Sequence, residues 1–268
     1  MNINEFLADD INYIVSQYKS GVSLCELASR FNCSRKPIRK ILVCEGVTIR
    51  GQRDASTKYT FNFNYFNQID TPNKAYILGF LYADGCNYVE KNSSQYRVQL
   101  QLKQDDNQIL EDIKREIEYT GPIYYNERVI DGVRRKYATL CIANKQLSQK
   151  ISEFGVVPSK TYITEYPEWM DVCLLPHFLR GLFDGDGCIN NIGHVSISGT
   201  YSLMSRIAEL VKLCKGLEFS LYAIGNAGNT YTINLCTKAY AAEFLGWIYN
   251  GADLKLNRKY KRYANIYC

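Results

Sequence analysis

The sequence reads LRGLFDGDG at residues 179–187, and it reads ILGFLYADG at residues 77–85. The two stretches align without gaps, which pairs Asp84 with Asp186. Each predicts a short apolar helix with small residues four positions apart, and residues at that spacing share one helix face. Small residues on a shared face allow two helix backbones to approach closely. The repeat therefore predicts one tight helix pair, with the contact residues Gly79, Ala83, Gly181 and Gly185.

Both stretches end in Asp-Gly, and this ending predicts where the helices stop. Gly85 and Gly187 suit the left-handed position that commonly ends a helix. The preceding aspartates then lie at helix C-termini, where carbonyl groups disfavour another anion. A carboxylate there is poor for stability, but together with free carbonyls it can bind a divalent cation. If the helices pack in parallel, Asp84 and Asp186 converge at one end. The alternative is that each aspartate only caps the loop after it.

Length and composition limit the kind of protein this can be. The chain has 268 residues, a net charge of +5 and a pI near 8.6, so one or two domains and an anionic partner are both compatible with it. Its ten cysteines include no CxxC pair, which argues against a disulfide framework and a thiolate zinc site. The two histidines, His177 and His194, argue against most histidine-based catalysis. With no apolar run of transmembrane length and no signal-peptide core, we expect a soluble intracellular protein without a membrane partner.

Residues 1–46 predict a module of three short helices. Helical spacing of apolar residues predicts the first over 9–19, Ser23 and Glu26 form a capping box for the second, and Ser34 can cap the third. The second and third helices, joined by a short turn, resemble a helix-turn-helix. In that motif the second of the two helices enters the major groove of DNA. The third helix carries the basic residues Arg35, Lys36, Arg39 and Lys40. Their clustering favours DNA binding over the alternative, a three-helix bundle with a solvated basic face.

Residues 47–59 are polar, with Gly and Ser, and predict a basic linker. We expect Arg50 and Arg53 in this linker to follow the DNA backbone. A new pattern begins after it, because residues 60–165 and 166–268 repeat the same order of elements. Each half opens with one of the two apolar helices.

Periodicity predicts the elements of the two halves. In the first half we expect a strand over 96–103, a helix over 106–118, hairpin strands near 123–129 and 134–143, and a helix over 145–154. In the second half we expect a strand over 194–199, a helix near 203–211, strands near 218–224 and 230–236, and a helix over 239–249. These elements predict an α+β protein with two αββαββα-like halves, antiparallel saddle-shaped sheets and pseudo-two-fold symmetry within a monomer.

The strand over 96–103 alternates strictly between apolar and polar residues, which indicates a half-buried strand. Its polar face carries amides and cations suited to base edges and phosphates. The candidates for DNA contacts in this half are Arg97, Gln99, Lys103, Arg135 and Tyr137.

The doubled motif resembles the LAGLIDADG motif of homing endonucleases, and the similarity extends over residues 60–268. Residues 156–161, VVPSKT, look like the segment that such proteins place before the second motif, and residues 256–260, LNRKY, look like its C-terminal counterpart. The resemblance implies the LAGLIDADG fold and hydrolysis of both DNA strands at a long, nearly palindromic site, leaving 3′ overhangs. No splice-junction residues frame the body, so an intron-encoded or free-standing enzyme is expected rather than an intein. Its place would be the cytoplasm or nucleoid of a bacterial or phage-infected cell, or an organelle.

The resemblance also implies roles for particular residues. Asp84 and Asp186 would bind Mg²⁺, or another divalent cation such as Mn²⁺, with the main-chain carbonyls of Ala83 and Gly185. Lys160 and Lys259 would stabilise phosphate charge or orient water. Gln101 would position water, with Ser196 as its partner in the second half, and Arg258 would contact phosphates. The alternative for Lys160, Lys259 and Arg258 is that they are ordinary solvated cations.

The remaining polar residues of the motifs are expected to be structural. Tyr82 occupies the place that matches Asp184, so Asp184 has no acidic partner and we do not expect it to bind metal. His177 and His194 are likewise expected to be structural.

Two alternatives to a nuclease stay open. The first is a non-cleaving transcriptional regulator that joins a LAGLIDADG body to a helix-turn-helix. The presence of both Asp84 and Asp186 favours cleavage over this alternative. The second is a maturase that binds its own intron RNA, although the helix-turn-helix points to duplex DNA.

Overall fold

The computed structural model describes residues 6–19, 22–47, 49, 59–90, 95–224 and 230–268. By its internal contacts the chain divides into two units, Met1–Tyr59 and Thr60–Cys268. The expectations for Arg50 and Arg53 fall outside the described residues, as do most of the linker and residues 225–229. Within the described part of the chain, no helix combines the length and apolar character that a bilayer crossing requires.

The first unit consists of three helices, α1 (Ala8–Lys19), α2 (Leu24–Arg30) and α3 (Arg35–Cys44). The expected capping box is present, because the Ser23 hydroxyl accepts from Glu26 N and the Glu26 carboxylate accepts from Ser23 N. Ser34 precedes α3, but its side chain makes no capping hydrogen bond. The core of the unit is formed by residues from all three helices, among them Ile14, Tyr18, Leu27, Ile38 and Leu42.

The second unit contains two halves with the same order of elements. The first half runs through α4 (Pro72–Ala83), β1 (Gly85–Val89), β2 (Tyr96–Lys103), α5 (Asn107–Glu116), β3 (Ile123–Ile130), β4 (Val133–Ile142) and α6 (Lys145–Glu153). The second runs through α7 (Leu175–Asp186), β5 (Gly187–Ile189), β6 (Val195–Gly199), α8 (Tyr201–Lys215), β7 (Ser220–Ile224), β8 (Thr230–Leu235) and α9 (Lys238–Tyr249). A last helix, α10 (Asn257–Tyr267), follows and was not expected from the sequence.

Each half contains one four-stranded antiparallel sheet, which confirms the expected α+β class. The strand orders are β1-β2-β4-β3 and β5-β6-β8-β7, so the two sheets have the same topology. In the inner strands β2 and β6, buried apolar residues alternate with more exposed polar residues, as expected for a sheet with one face on the core. Gly85 pairs with Leu100 in the first sheet, and Gly187 pairs with Ile197 in the second. This shared register defines which residues of the two halves correspond.

Helices α4 and α7 form the centre of the second unit and pack backbone against backbone. A Cβ atom on Gly79 would lie 2.0 Å from the carbonyl oxygen of Phe178, and one on Gly181 would lie 2.0 Å from that of Tyr76. Neither position has room for a side chain larger than hydrogen. One turn onward, a Cβ on Gly185 would lie 2.2 Å from the Cβ of Ala83. The helices are therefore parallel, and their C-terminal ends adjoin.

The expectation that Gly85 and Gly187 adopt the left-handed conformation is wrong. Gly187 has φ −88°, and Gly85 is not among the glycines with positive φ. Each glycine instead begins a strand, and each is needed for space. A Cβ on Gly85 would lie 2.4 Å from the Leu81 carbonyl oxygen, and one on Gly187 would lie 2.5 Å from that of Phe183. The chain passes directly from helix into strand, so no turn with positive φ is required.

Candidate active site

The two matched aspartates lie at the adjoining ends of the central helices. Asp84 caps α4, which ends at Ala83, and Asp186 is the last residue of α7. The Asp84 carboxylate lies 3.3 Å from the point that a Cβ on Gly185 would occupy, one residue before Asp186. Thr71 starts α4 by accepting a hydrogen bond from Lys74 N, and Pro72 suits its first turn. The two acidic groups are thus carried by a rigid helix pair.

The electrostatics of the pair follow from this convergence. Burial among protein atoms, and then the negative charge of Asp84, raise the pKa of Asp186 to about 6. Burial also raises the pKa of Asp84, although the ammonium groups of Lys259 and Lys160 oppose that shift. Both carboxylates still reach solvent, although protein atoms crowd them. The site is therefore open to a cation, whose positive charge would relieve the repulsion between the two acids.

A lysine lies at the C-terminal end of each central helix. Lys160 Nζ donates to the carbonyl oxygens of Tyr82 (2.7 Å) and Ala83 (3.0 Å) at the end of α4. Lys259 Nζ donates to three carbonyl oxygens at the end of α7, those of Phe183 (2.7 Å), Gly185 (3.1 Å) and Gly187 (2.5 Å). A cation at this end of a helix is favourable, because it faces the negative end of the helix dipole. Burial lowers the pKa of both lysines.

Each of the two carbonyls that we expected to help bind a metal therefore already has a hydrogen-bond partner. The oxygens of Ala83 and Gly185 each accept a hydrogen bond from a lysine. A carbonyl oxygen has two lone pairs, so one remains for a second partner.

The donor set fits a small hard cation. No group of three His, Cys, Asp or Glu side chains within the described ranges could enclose a metal. Mg²⁺ does not require such a cage, because one or two carboxylates together with substrate phosphates and waters usually hold it. Asp84 and Asp186 supply two carboxylates at one open position, and the carbonyl oxygens beside them are ligands of the same hard type. The residues present are therefore suited to Mg²⁺ or Mn²⁺.

Asp184 is separated from this site although it is only two residues from Asp186. Its side chain is 1% exposed and accepts hydrogen bonds from Tyr76 OH (2.9 Å), Tyr249 OH (2.6 Å) and Leu256 N (2.7 Å). Asp184 is thus structural, as expected. Tyr82, at the matching place in α4, donates to the carbonyl oxygen of Phe154 at 2.6 Å.

Neither histidine reaches the aspartate pair through a hydrogen bond that the structure shows. His177 Nδ1 lies 3.0 Å from Arg180 Nη1 on the same helix. His194 N donates to the side chain of Asn190 in the β5–β6 connection.

The strand register corrects one expected correspondence. Gln101 pairs with Thr139, and its Nε2 donates to the Thr139 hydroxyl at 2.8 Å. Because Leu100 corresponds to Ile197, Gln101 corresponds to Ser198 rather than to Ser196. Ser198 faces Thr232 in the second sheet, as Gln101 faces Thr139 in the first. Ser196 lies two residues away on the same strand face, so side-chain periodicity alone did not separate the two.

The other candidates of the first half share one face of the sheet. Arg97, Gln99, Gln101 and Lys103 alternate with buried apolar residues along β2. Lys103 pairs with Tyr137, so that tyrosine lies on the same face, and Arg135 follows on it two residues earlier in β4. The four basic residues of α3 are all exposed.

Arg258 occupies a different setting from the one expected. Its guanidinium forms an ion pair with Asp106, in which Nε and Nη2 both lie 3.2 Å from Oδ2 and Nε also lies 3.3 Å from Oδ1. The arginine stays largely exposed, with 61% of its side chain accessible, whereas the Asp106 side chain is 9% accessible. This ion pair joins the start of α10 to the start of α5 in the other half.

Sequence reasoning missed several polar residues near the lysines. Asn87 on β1 donates from Nδ2 to Val156 O at 2.9 Å, and Thr164 Oγ1 donates to Lys160 O at 2.7 Å. Arg180 on α7 donates to the carbonyls of Ile248 and Leu254, both at 2.9 Å. A polar or charged residue within an apolar stretch was the available signal for Arg180 and Asn87. Their partners are 61 to 74 residues away and could not be inferred from spacing.

Comparison with known proteins gives matches in structure but not in sequence. No protein-family model matches the chain, and no curated protein matches it. The crystal structure of I-DmoI in complex with DNA and Ca matches at a TM-score of 0.51 and 15% identity, covering 76% of this chain and 99% of that one. The LAGLIDADG homing endonuclease I-GzeII in complex with its DNA target matches at 0.49 and 14%, covering 73% and 88%. The N-terminal LAGLIDADG domain of DUF199/WhiA matches at 0.46 and 16%, covering 78% and 90%.

At these identities the comparison concerns the fold alone. I-DmoI and this chain share their fold at a TM-score of 0.51. The similarity covers about three quarters of the chain and nearly the whole of I-DmoI. The chain therefore has the LAGLIDADG fold.

Proposed function

We propose that the protein is a site-specific endonuclease that hydrolyses both strands of duplex DNA with a divalent metal and leaves 3′ overhangs. The observation that carries this proposal is the convergence of Asp84 and Asp186 at the ends of α4 and α7, with a lysine ammonium at the end of each helix. Two parallel helices that deliver two open carboxylates to one point provide an acidic site. Neither carboxylate is required by the packing of the helix pair.

Asp84 and Asp186 would hold Mg²⁺ or Mn²⁺ between them, aided by the carbonyls of Ala83 and Gly185. A bound divalent cation would polarise the scissile phosphate, favour ionisation of an attacking water and stabilise the leaving oxygen. Because such a cation supplies these three effects, the reaction needs neither of the two histidines.

The polar residues around the aspartate pair would compensate phosphate charge and orient water. Lys160 and Lys259 present ammonium groups beside the acidic pair, where each can compensate charge on a phosphate. Gln101 lies on the open face of β2 with its amide held by Thr139, so its carbonyl oxygen can orient a water. Ser198 is the corresponding hydroxyl of the second half.

The surface of the first sheet fits duplex DNA. Arg97 and Lys103 stand at the two ends of β2, with the amide of Gln99 between them, on the face opposite the core. Arginine and lysine contact phosphates and guanine, and amides read base edges in the major groove. We assign Arg135 and Tyr137 to the same interface, and the exposed basic residues of α3 to a second DNA contact. Arg258 contributes only where a phosphate displaces Asp106.

The two halves differ in these surface residues, so the target is expected to be long and only approximately palindromic. Both carboxylates belong to one chain, so a monomer is sufficient for the reaction. Binding of its own intron RNA is a further expectation from the resemblance alone.

The proposal can be tested on a target that the protein itself selects. Duplexes with a long randomised segment are selected for binding in EDTA, and the selected duplex is then incubated with protein and Mg²⁺. We expect a double-strand break with 3′ overhangs in Mg²⁺ or Mn²⁺ and none in EDTA. Selective binding without cleavage in either metal would contradict the nuclease and favour the regulator.

A further inference from the structure

The buried polar side chains of this protein are distributed in an unusual way. Seven polar or charged side chains within the described ranges are buried, namely Asn87, Ser148, Thr164, Arg180, Asp184, Thr200 and Lys259. Burying such groups is costly unless they are completely hydrogen-bonded. All seven belong to networks that end on one of two chain segments, residues 154–164 and 248–259. These segments carry Lys160 and Lys259.

In the second half, Arg180 and Asp184 lie one turn apart on α7 and together hold the segment 248–259. Arg180 donates from Nε to Leu254 O and from Nη1 to Ile248 O, both at 2.9 Å. Asp184 accepts from Leu256 N at 2.7 Å, and Tyr76 and Tyr249 satisfy the rest of its carboxylate. Helix α10 starts directly after Leu256, and its third residue is Lys259. The ammonium group of Lys259 then donates to Phe183 O near the C-terminal end of α7, the helix that carries Arg180 and Asp184.

In the first half, neutral residues hold the corresponding segment. Tyr82 OH donates to Phe154 O at 2.6 Å, and Asn87 Nδ2 donates to Val156 O at 2.9 Å. The amide of Asn87 is completed by Ser148, which donates to its Oδ1 at 2.7 Å. Beyond the lysine, Thr164 Oγ1 donates to Lys160 O, and the Thr200 hydroxyl of the second half donates to Thr164 O.

Comparison of the two halves shows that the fold itself does not need the charged pair. Leu78 and Tyr82 occupy in α4 the places that Arg180 and Asp184 occupy in α7. Burying two charged side chains costs free energy that uncharged residues such as Leu78 and Tyr82 do not cost. The charged pair therefore serves a local purpose, and every bond that Arg180 makes to the backbone falls on the segment leading to Lys259.

We propose that Arg180 and Asp184 are positioning residues for Lys259, that Tyr82 and Asn87 are positioning residues for Lys160, and that each network controls cleavage of one DNA strand. This inference rests on the proposed nuclease function. Errors of about 1 Å in the placement of a charged group can reduce a rate roughly a hundredfold. Loosening one network should therefore impair cleavage of one strand and spare cleavage of the other.

The matched variants are Asp184→Asn and Tyr82→Phe, which alter corresponding positions of the two motifs without changing side-chain volume greatly. Tyr249→Phe is a milder change in the Asp184 network and serves if Asp184→Asn does not fold. Tyr119→Phe is the control, because its hydroxyl makes a comparable bond to Cys141 O that touches neither lysine segment.

Each variant is assayed on a duplex with the two strands labelled differently. We expect Asp184→Asn, or Tyr249→Phe, to slow cleavage of one strand at least tenfold relative to the other, and Tyr82→Phe to slow the opposite strand. Nicked intermediates cut on different strands would accumulate in the two cases. Tyr119→Phe should cut both strands at the wild-type ratio. Equal slowing of both strands, or slowing of the same strand by both variants, would overturn the inference.

A second readout does not require cleavage. The free protein is acetylated with a water-soluble N-hydroxysuccinimide ester, and the rate at each lysine is followed by mass spectrometry. Asp184→Asn should raise the rate at Lys259 several-fold and leave Lys160 and the surface residue Lys212 unchanged, whereas Tyr82→Phe should raise the rate at Lys160. If the wild type cuts no DNA and these changes still occur, the nuclease proposal fails and the positioning stands. Parallel increases at all three lysines, or none, would refute the positioning.

Discussion

Two aspartates separated by one glycine have opposite environments at the end of α7. Asp184 is buried and receives three hydrogen bonds, so its carboxylate belongs to the framework. Asp186 reaches solvent and faces Asp84, so its charge is not compensated by a hydrogen bond of that kind. The sequence already distinguished them, because Asp186 had a matched acid in the first motif and Asp184 had a tyrosine. At the level of single residues, the acidic site therefore has a cost in stability.

That cost can be measured with Asp186→Asn in EDTA. The pKa of Asp186 is about 6 in the folded protein, against an ordinary value of 3.8 for an aspartate, so folding opposes ionisation of this group. Its penalty is present above pH 6 and disappears as the pH falls towards 4. After a discount for solvent screening, we expect the substitution to raise the free energy of unfolding by about 1 kcal/mol at pH 8. Urea unfolding at pH 8 and at pH 4.5 provides the measurement.

A surface change separates this effect from a general loss of charge. Glu243→Gln removes an exposed carboxylate on α9 and should change stability little at either pH. An equal gain for Asp186→Asn at pH 8 and pH 4.5, or a loss at pH 8, would argue against a penalty from burying the Asp186 carboxylate beside Asp84.

The two lysines also differ as single residues. Lys259 is buried and serves three carbonyl oxygens, whereas Lys160 is half-buried and serves two. We expect Lys259→Met to lower the free energy of unfolding by about 1–3 kcal/mol, because a buried acceptor without its donor loses about that much. Lys160→Met should cost less. Urea denaturation of both variants compares them, and a larger loss for Lys160→Met would conflict with the hydrogen bonding seen here.

At the level of elements, the close approach of α4 and α7 sets the distance between the acidic groups. Gly79→Ala would place a methyl group 2.0 Å from the carbonyl oxygen of Phe178, which is backbone and cannot turn aside. Overpacking of this kind costs about 1–3 kcal/mol or more, and we expect a loss of about 3 kcal/mol in thermal or urea unfolding.

The matched control lies in another helix of the same unit. A Cβ on Gly246 in α9 would meet Tyr263 OH at an ordinary 3.5 Å. Gly246→Ala should be neutral or stabilise by roughly 0.5–1 kcal/mol, since alanine favours the helix over glycine. Should Gly79→Ala prove as mild as Gly246→Ala, the tight helix contact would be disproved.

The elements also show what the sequence could and could not predict. Local periodicity identified the strand at 96–103 and the helices of both halves, because side-chain alternation reflects one buried face. The cap conformation of Gly85 and Gly187 was wrong, because a strand follows each helix directly. The partner of Gln101 was misplaced by two residues, since register is set by pairing between strands. Helix α10 was missed, because its apolar contacts involve a cluster of tyrosines rather than aliphatic residues at helical spacing.

At the scale of the whole molecule, we expect the cations on the open face of the first sheet to supply most of that sheet's contribution to DNA affinity. Arg97 and Lys103 lie on the open face of β2, whereas β6 presents Ser196 and Ser198. If both cations contact phosphates, replacing them by glutamine should lower the slope of log K against log salt concentration by about 0.9 for each contact. Titrations of the selected duplex at several salt concentrations give the slope.

The control for this charge effect is Lys212→Gln, which removes a cation of α8 that is paired with Glu218. Its slope should match that of the wild type. A double variant of Arg97 and Lys103 with an unchanged slope would show that the open face of β2 is not the DNA interface.

The most direct test of the proposed activity compares cleavage and binding for the wild type, Asp84→Asn and Asp186→Asn on the selected duplex in Mg²⁺. Each substitution keeps the size of the side chain and removes one carboxylate from the shared site. We predict that each variant binds the duplex within about threefold of the wild type, less than a change of about 1 kcal/mol, and loses cleavage of at least one strand by a factor of about a hundred or more. Cleavage of both strands at the wild-type rate by either variant would contradict the assignment of Asp84 and Asp186 as the reactive centre.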